Sequence, residues 1–374
     1  MLSRKERVKQ VRSQVEKDWP HYIYNWITTT LGDSVDYMIL SGNPNITLDV
    51  IDANPDKPWD WFYVSELQSV TLEYVLQNLD KEWHWFTLSF SLELTMQDIQ
   101  SKPDLPWEWD GLSINKCRTI TLNDIVANID KPWSWAYLSA NSKFTLTDID
   151  NSAHLPWQYE FVSKNVNLTL DYVLSNPEKN WNWNLISQNP GITLDDITSN
   201  MDLPWSWLCI ACNPNITFEF IDFVASDRLN LDDAYTRQLL SMNPGISINN
   251  IIKHKRHPAW DWYYVSWRND VPLDYIISNP DHDWPSYGKL IQTIDIPFDA
   301  MDTILDHDKF RPHLPKLCAN MFSSFEKEFQ LQQYRMHLAS YRIQQHWHRI
   351  RLDPRHPVGK RRLEREYDRV FGIA

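Results

Sequence analysis

Thr169-Leu-Asp-Tyr-Val-Leu-Ser-Asn-Pro-Glu-Lys-Asn-Trp-Asn-Trp-Asn-Leu-Ile-Ser-Gln-Asn-Pro-Gly-Ile192 is one copy of a motif that returns along most of the chain. Its tryptophan pair recurs as Trp59/Trp61, Trp83/Trp85, Trp107/Trp109, Trp133/Trp135, Trp157/Tyr159, Trp181/Trp183, Trp205/Trp207 and Trp260/Trp262. Sixteen of the twenty tryptophans fall in these slots, counting Trp284 as a half-pair. Self-similarity at a period of about twenty-four residues means small repeats stacked on one continuous core.

The first half of the motif reads as a short helix. A threonine is followed by apolar residues three apart, as in Leu122/Ile125, Leu170/Val173 and Leu194/Ile197. Threonine is a preferred N-cap, because its hydroxyl accepts a bond from an unpaired first-turn amide. In Thr95/Asp98, Thr121/Asp124, Thr145/Asp148 and Thr193/Asp196 an aspartate stands three residues on, a capping box with Asp in place of Glu. Asn-Pro, as at Asn54-Pro55 and Asn176-Pro177, then stops the helix. The second half opens with proline before the first tryptophan (Pro58, Pro106, Pro132, Pro156, Pro204), which suits a first helical turn. Two tryptophans two residues apart on one helix point about 200° apart, so that helix is expected to be sandwiched between neighbouring repeats. A coil of short strands is the rival fold, since Leu168-Thr169-Leu170 is strand-like in isolation. The capped start and the three-residue apolar spacing favour helices.

The expectation is therefore an all-α solenoid of about eleven helix-turn-helix repeats with a C-terminal helical cap. The capping slot is held by Thr47, Thr71, Thr95, Thr121, Thr145, Thr169, Thr193, Thr217, Ser247 and Pro272, and fades at Pro297. The chain divides into a helical lead and cap at 1–34, the array at 35–306 and a basic helical segment at 307–374. Two irregularities interrupt the period: an insertion near Lys116–Arg118, and a longer one near Asp227–Tyr235 that replaces the tryptophan pair by Asp233 and Tyr235. Insertions in solenoids usually map to loops on one face, often the binding face.

Tandem Asn-Pro-Asn-Ile-Thr-Leu-Asp repeats closing on Pro-Trp-x-Trp, as from Asn43 to Trp61, resemble the tryptophan-rich short repeats of proteins from giant DNA viruses of the mimivirus type. The close of those proteins is similar to the stretch from Tyr341 through Asp353-Pro354 to Tyr367. The resemblance covers nearly everything beyond residue 40. It implies a viral, non-enzymatic repeat protein and carries no activity with it.

The 374 residues are 43% hydrophobic and 13% aromatic, enough for a core. Glycine is scarce at 8 and proline plentiful at 22, so the turns rely on proline and asparagine. The four cysteines, Cys117, Cys209, Cys212 and Cys318, form no framework, which favours a reducing compartment. The polar, basic start lacks an apolar signal core and no long apolar run crosses a membrane, so a cytoplasmic protein is expected, in host cytoplasm or a viral factory. Three glycosylation sequons, beginning at Asn45, Asn167 and Asn215, share one repeat slot and read as turn and cap chemistry.

Charge is segregated. The formal total is -13, and residues from Tyr334 onward hold ten Lys and Arg against four Asp and Glu, leaving -19 on the rest. The array is thus no general nucleic-acid binder, whereas the tail is a candidate through Arg342, Arg349, Arg351, Lys360, Arg361, Arg362 and Arg365. The competing reading is an apolar stripe folding back as a cap with its arginines solvated. An IQ-like start at Ile343-Gln344 departs from that pattern at His348 and Asp353. Cys209-x-x-Cys212 has redox or zinc spacing, yet no second pair completes a tetrahedral site. His254/His257 and His346/His348 lack ligand partners at suitable spacing. With no phosphate loop, nucleophile elbow or zinc-protease motif, no catalytic, cofactor or metal site is expected. The function expected is a non-enzymatic scaffold for an unidentified host or viral protein. The alternatives are a tether to nucleic acid or an anionic surface through the tail, and a self-associating component of a virion or viral factory.

Overall fold

A computed structural model describes residues 4–115, 119–224, 228–279, 284, 287–297, 300–306, 308–320, 322–323, 326–336, 358 and 361. Every regular element among them is helical, and the elements recur as short pairs. The backbone forms two compact bodies: a larger one of Ile27–Asp295 with Thr303–Met321, and a smaller one of Met1–Trp26, Ile296–Asp302 and Phe322–Ala374.

The first helices, from Leu48–Ala53 to Met301–Asp306, follow the capping slots in order. All four expected capping boxes form. Thr95 accepts the Asp98 amide at 3.1 Å while its own amide reaches the Asp98 carboxylate at 2.8 Å, and the pairs at 121/124, 145/148 and 193/196 repeat this. These bonds favour the ionised carboxylate, so Asp98 sits below its ordinary pKa, held there chiefly by the Thr95 hydroxyl. The helices end at asparagine: Asn54 and Asn176, each followed by proline, and Asn128 and Asn200, followed by Ile129 and Met201, are C-caps whose amides turn back onto the preceding turn, as Asn176 does to the Tyr172 carbonyl at 2.9 Å.

The tryptophan pair is arranged differently from expectation. The second helix begins at the second tryptophan, as in Trp61–Val64, Trp85–Ser91, Trp109–Ile114 and Trp183–Ser187, and the residue between the two is its N-cap. The first tryptophan therefore lies in the linker between the helices, and so does the preceding proline, past the turn and outside any helix. The reason is a hydrogen bond that the pattern of residue types does not display. The indole N–H donates to the carbonyl at the end of the first helix five residues back: Trp59 to Asn54 at 2.9 Å, Trp133 to Asn128 at 2.9 Å, Trp205 to Asn200 at 2.7 Å. A buried indole needs that partner, and only an extended linker lets it reach. The sandwich survives in another form. Apart from Trp207, the second tryptophans, half-buried, take the first tryptophan of the next repeat edge-on, at 4.8 Å for Trp109–Trp133 and 5.3 Å for Trp183–Trp205.

Two buried polar ladders join one repeat to the next. The N-cap amide of the second helix donates to a serine of the preceding repeat, as Ser134 to Ser113 at 3.0 Å and Asn182 to Ser163 at 3.0 Å, whereas Asp233 at the longer irregularity donates to the Asn230 carbonyl. Two residues after that serine an asparagine reaches back. Asn165 donates to the Ser139 and Asn141 carbonyls, and Asn189 to those of Ser163 and Asn165. These side chains are at most 2% exposed at Asn165 and Asn189, where an unpaired amide would cost about 1–3 kcal/mol. Close packing accompanies the ladders. A Cβ on Gly111 would lie 2.7 Å from the Phe86 carbonyl, so glycine lets Trp109–Ile114 seat on Trp85–Ser91.

The ladder does not end with free ends. Asn320, past the 3-10 helix Arg311–Ala319, donates to the Ile291 and Ile294 carbonyls. Asn43, in the first repeat, donates to the Cys318 carbonyl at 2.7 Å and the Asn320 carbonyl at 3.0 Å. Relative to Cys318 and Asn320 it stands as Asn165 stands to Ser139 and Asn141. The segment Cys318-Ala319-Asn320 is thus a further joint of the Ser-x-Asn kind with cysteine for serine, and the larger body closes on itself. Cys318 is buried, which pushes its thiol up to about 11.

In the smaller body the long helix Arg4–Leu31 contributes its residues up to Trp26. Trp19 and Tyr22 pack on Phe329 at 5.4 and 4.4 Å, and Trp26 meets Phe322 edge-on at 5.7 Å. Phe329 belongs to a helical stretch at 326–336.

Candidate interaction surface

The repeat acts as its own control on which residues the fold requires. On the second helices the core slot is always apolar and fully covered (Val64, Leu88, Leu112, Leu138, Val162, Ile186, Ile210, Val265). The residue just after the second tryptophan changes freely: Phe62, Phe86, Asp110, Ala136, Glu160, Asn184, Leu208, Tyr263. So does the one four further on: Glu66, Phe90, Ile114, Ala140, Lys164, Gln188, Cys212, Trp267. Residues four apart share a helix face, so these slots form one band running from repeat to repeat. Several large apolar side chains in it are exposed, among them Phe62 at 44%, Leu208 at 40% and Trp267 at 38%.

The linkers carry the charge. Asp56–Lys57, Asp80–Lys81, Asp130–Lys131 and Glu178–Lys179 are adjacent surface pairs at 2.9–3.5 Å, worth little to stability. Their lysines also cover aromatic rings of the preceding repeat, Lys81 over Trp61 at 5.6 Å and Lys179 over Tyr159 at 4.7 Å. Between first helices, Tyr74 donates to Asp52 and Tyr172 to Asp150, both at 2.6 Å; burial, then the carboxylate, raises both phenols.

Of the tail residues, Arg361 is helical and exposed. Arg342, Arg349, Arg351, Lys360, Arg362 and Arg365 lie outside the described residues, as do the insertion at Lys116–Arg118 and Cys117. At the longer irregularity Asp233 caps the helix Ala234–Met242 through the Thr236 amide. Trp207, whose tryptophan partner is missing there, is covered by the Arg228 guanidinium at 5.3 Å. Cys209 and Cys212 are free and half-buried, and burial raises the Cys212 thiol above its ordinary value, the reverse of an activated nucleophile. His254 stacks on Phe218 at 4.2 Å, and His257 stands 3.6 Å from Asp222 with its pKa lowered by burial. No group of three or more His, Cys, Asp or Glu among the described residues is placed to hold a metal, and no described helix is long and apolar enough to cross a membrane.

The joints were not foreseen from the residues, although Ser-x-Asn recurring at 113/115, 139/141, 163/165, 187/189 and 241/243 was there to be read. Among the departures from it, one puts arginine in place of the asparagine. Arg268 occupies the asparagine slot, 8% exposed, and donates to the Ser241, Asn243 and Ile246 carbonyls while Asp270 takes it bidentately at 2.7 and 2.8 Å. Arg268→Ala removes the side-chain donor of three carbonyls and is expected to cost about 2–4 kcal/mol in urea unfolding. Arg268→Asn, which restores the residue used elsewhere, is expected to recover at least half of that. Equal losses for the two variants would show that the slot needs the guanidinium.

No family model matches this chain, and neither a curated protein nor a solved structure matches it.

Proposed function

We propose that this protein is a non-enzymatic repeat scaffold that holds a partner protein on the variable band of its second helices. One observation carries the reading: tryptophan, serine, asparagine and core slots repeat, while the exposed slots beside them change from Phe to Asp, Glu, Leu or Tyr. The fold has no use for that variation, whereas a surface that must recognise something does. The likeness to giant-virus repeats extends the reading to a viral protein acting in host cytoplasm or a viral factory, with a host or viral partner.

Affinity capture followed by mass spectrometry tests it, using the full chain, residues 1–336, and a full chain carrying Tyr263→Ser, Trp267→Ser and Leu208→Ser. The expected result is one partner retained by residues 1–336 and lost from the substituted band. The charge segregation of the tail supports a second reading, a tether to nucleic acid or an anionic surface. A partner lost only with residues 337–374, with steep dependence on salt, would replace the first reading by that one.

A further inference from the structure

The band is not chemically even. On the consecutive second helices Trp61–Val64 and Trp85–Ser91 it is aromatic: Phe62, Phe86 and Phe90 are 44%, 36% and 39% exposed. His84 bridges the first two, its ring 4.4 Å from Phe62 and 6.3 Å from Phe86, and its Nδ1 lies 2.7 Å from the Thr87 hydroxyl. Exposed carboxylates flank these helices along the chain. Glu66 follows the first helix and Glu93 the second, while Glu108 and Asp110 open the next one, which Gly111 seats directly on the Phe86 carbonyl. Residues 60–115 hold ten Asp and Glu against two lysines, and one of the two, Lys81, pairs with Asp80 at 3.2 Å.

We infer that this acidic, aromatic patch is the docking site for an extended Lys/Arg-rich segment of the partner protein. This rests on the scaffold reading and names the chemistry of what the scaffold holds. Ring faces attract guanidinium and ammonium groups, and their edges take the methylene stems of long basic side chains. The carboxylate rim supplies the steering field and repels acidic segments, so one surface gives both attraction and discrimination. A neutral apolar segment would leave the rim unanswered.

The test is fluorescence anisotropy of the full chain with three labelled probes: a Lys/Arg-rich peptide, its Glu counterpart, and a peptide of this chain's own residues 342–365. The Lys/Arg-rich probe is expected to bind and the Glu probe not. Phe62→Ser/Phe86→Ser/Phe90→Ser is expected to weaken that binding about tenfold at near-physiological salt. Leu174→Ser, an equally exposed apolar side chain on the first helix Leu170–Ser175 and outside the band, is expected to leave it unchanged, with circular dichroism reporting the fold of both variants. Equal binding by the triple variant, equal weakening by Leu174→Ser, or no binding by the wild type overturns the inference. Binding of the 342–365 probe alone also overturns it, since the occupant is then the chain's own tail. A captured partner that persists on the triple variant but is lost with Tyr263 and Trp267 leaves the scaffold reading standing while this one falls.

Discussion

Trp133→Ala is expected to remove about 5 kcal/mol of folding free energy, a loss large enough to unfold its repeat. Trp133 is 7% exposed, its indole N–H closes the linker onto Asn128, and its edge meets Trp109 at 4.8 Å. Truncating a buried tryptophan costs about 3–5 kcal/mol, and losing the indole bond to the Asn128 carbonyl, which keeps the Lys131 amide, adds about 0.5–1.5. The two contributions overlap, because the collapsing linker re-exposes the carbonyl to water. Trp109→Ala, which removes the half-buried member of the same pair, is expected to cost about 2 kcal/mol. Trp133→Phe keeps most of the apolar area and loses only the donor, so it should fall between the two. Urea midpoints order the three variants, and amide exchange across Leu122–Ala140 locates the opening. A loss for Trp109→Ala as large as for Trp133→Ala would mean that the linker bond is incidental.

That asymmetry within the pair also marks the limit of what residue patterns disclose. The helix starts were legible because capping is local: Thr145 and Asp148 lie within one turn, and their spacing states the geometry. The stops were legible for the same reason, since the residue before a proline is driven out of the helical region. Whether Trp133 belongs to the helix or to the linker depends on a bond to a carbonyl of a different element, and alternation alone reads equally well either way. The joints are further still from local: Asn141 reaches Ser113, and nothing within either residue's own repeat demands it. The band was legible only afterwards. Until the ladders account for the serines and asparagines, a varying Phe86 is one more hydrophobic residue in a chain full of them.

Closure bears on that band directly. In an open stack the terminal repeats have a neighbour on one side only and open first, so side chains near the ends are poorly held. Phe62 and Phe86 belong to repeats close to the start of the chain, yet the repeat before them is held through Asn43 by residues nearly the whole chain away. Recognition by a surface gains from side chains on rigid elements. A closed ladder places the early repeats on the same footing as those in the middle.

Asn43→Ala is accordingly expected to cost as much as the interior Asn165→Ala, about 2–4 kcal/mol, because each removes a buried side-chain amide that donates to two or more carbonyls of the neighbouring joint. An open array gives the opposite expectation: its first asparagine has no predecessor and its loss costs almost nothing. Asn43 is 1% exposed, and its Oδ1 also accepts the Asn45 amide at 2.9 Å, so the substitution loosens the turn as well as the joint. Adding Asn320→Ala removes the neighbouring joint to Ile291 and Ile294, and the pair is expected to lose about 4–6 kcal/mol. The two variants differ from Asn165→Ala in how they unfold. Breaking one interior joint of a closed ladder leaves the two flanks tied through Asn43, whereas breaking the closure releases two ends that fray, so the urea transition should broaden and its slope fall. A melting temperature for Asn43→Ala within about 1 °C of wild type, with an unchanged slope, would mean that the first and last repeats do not depend on each other in solution.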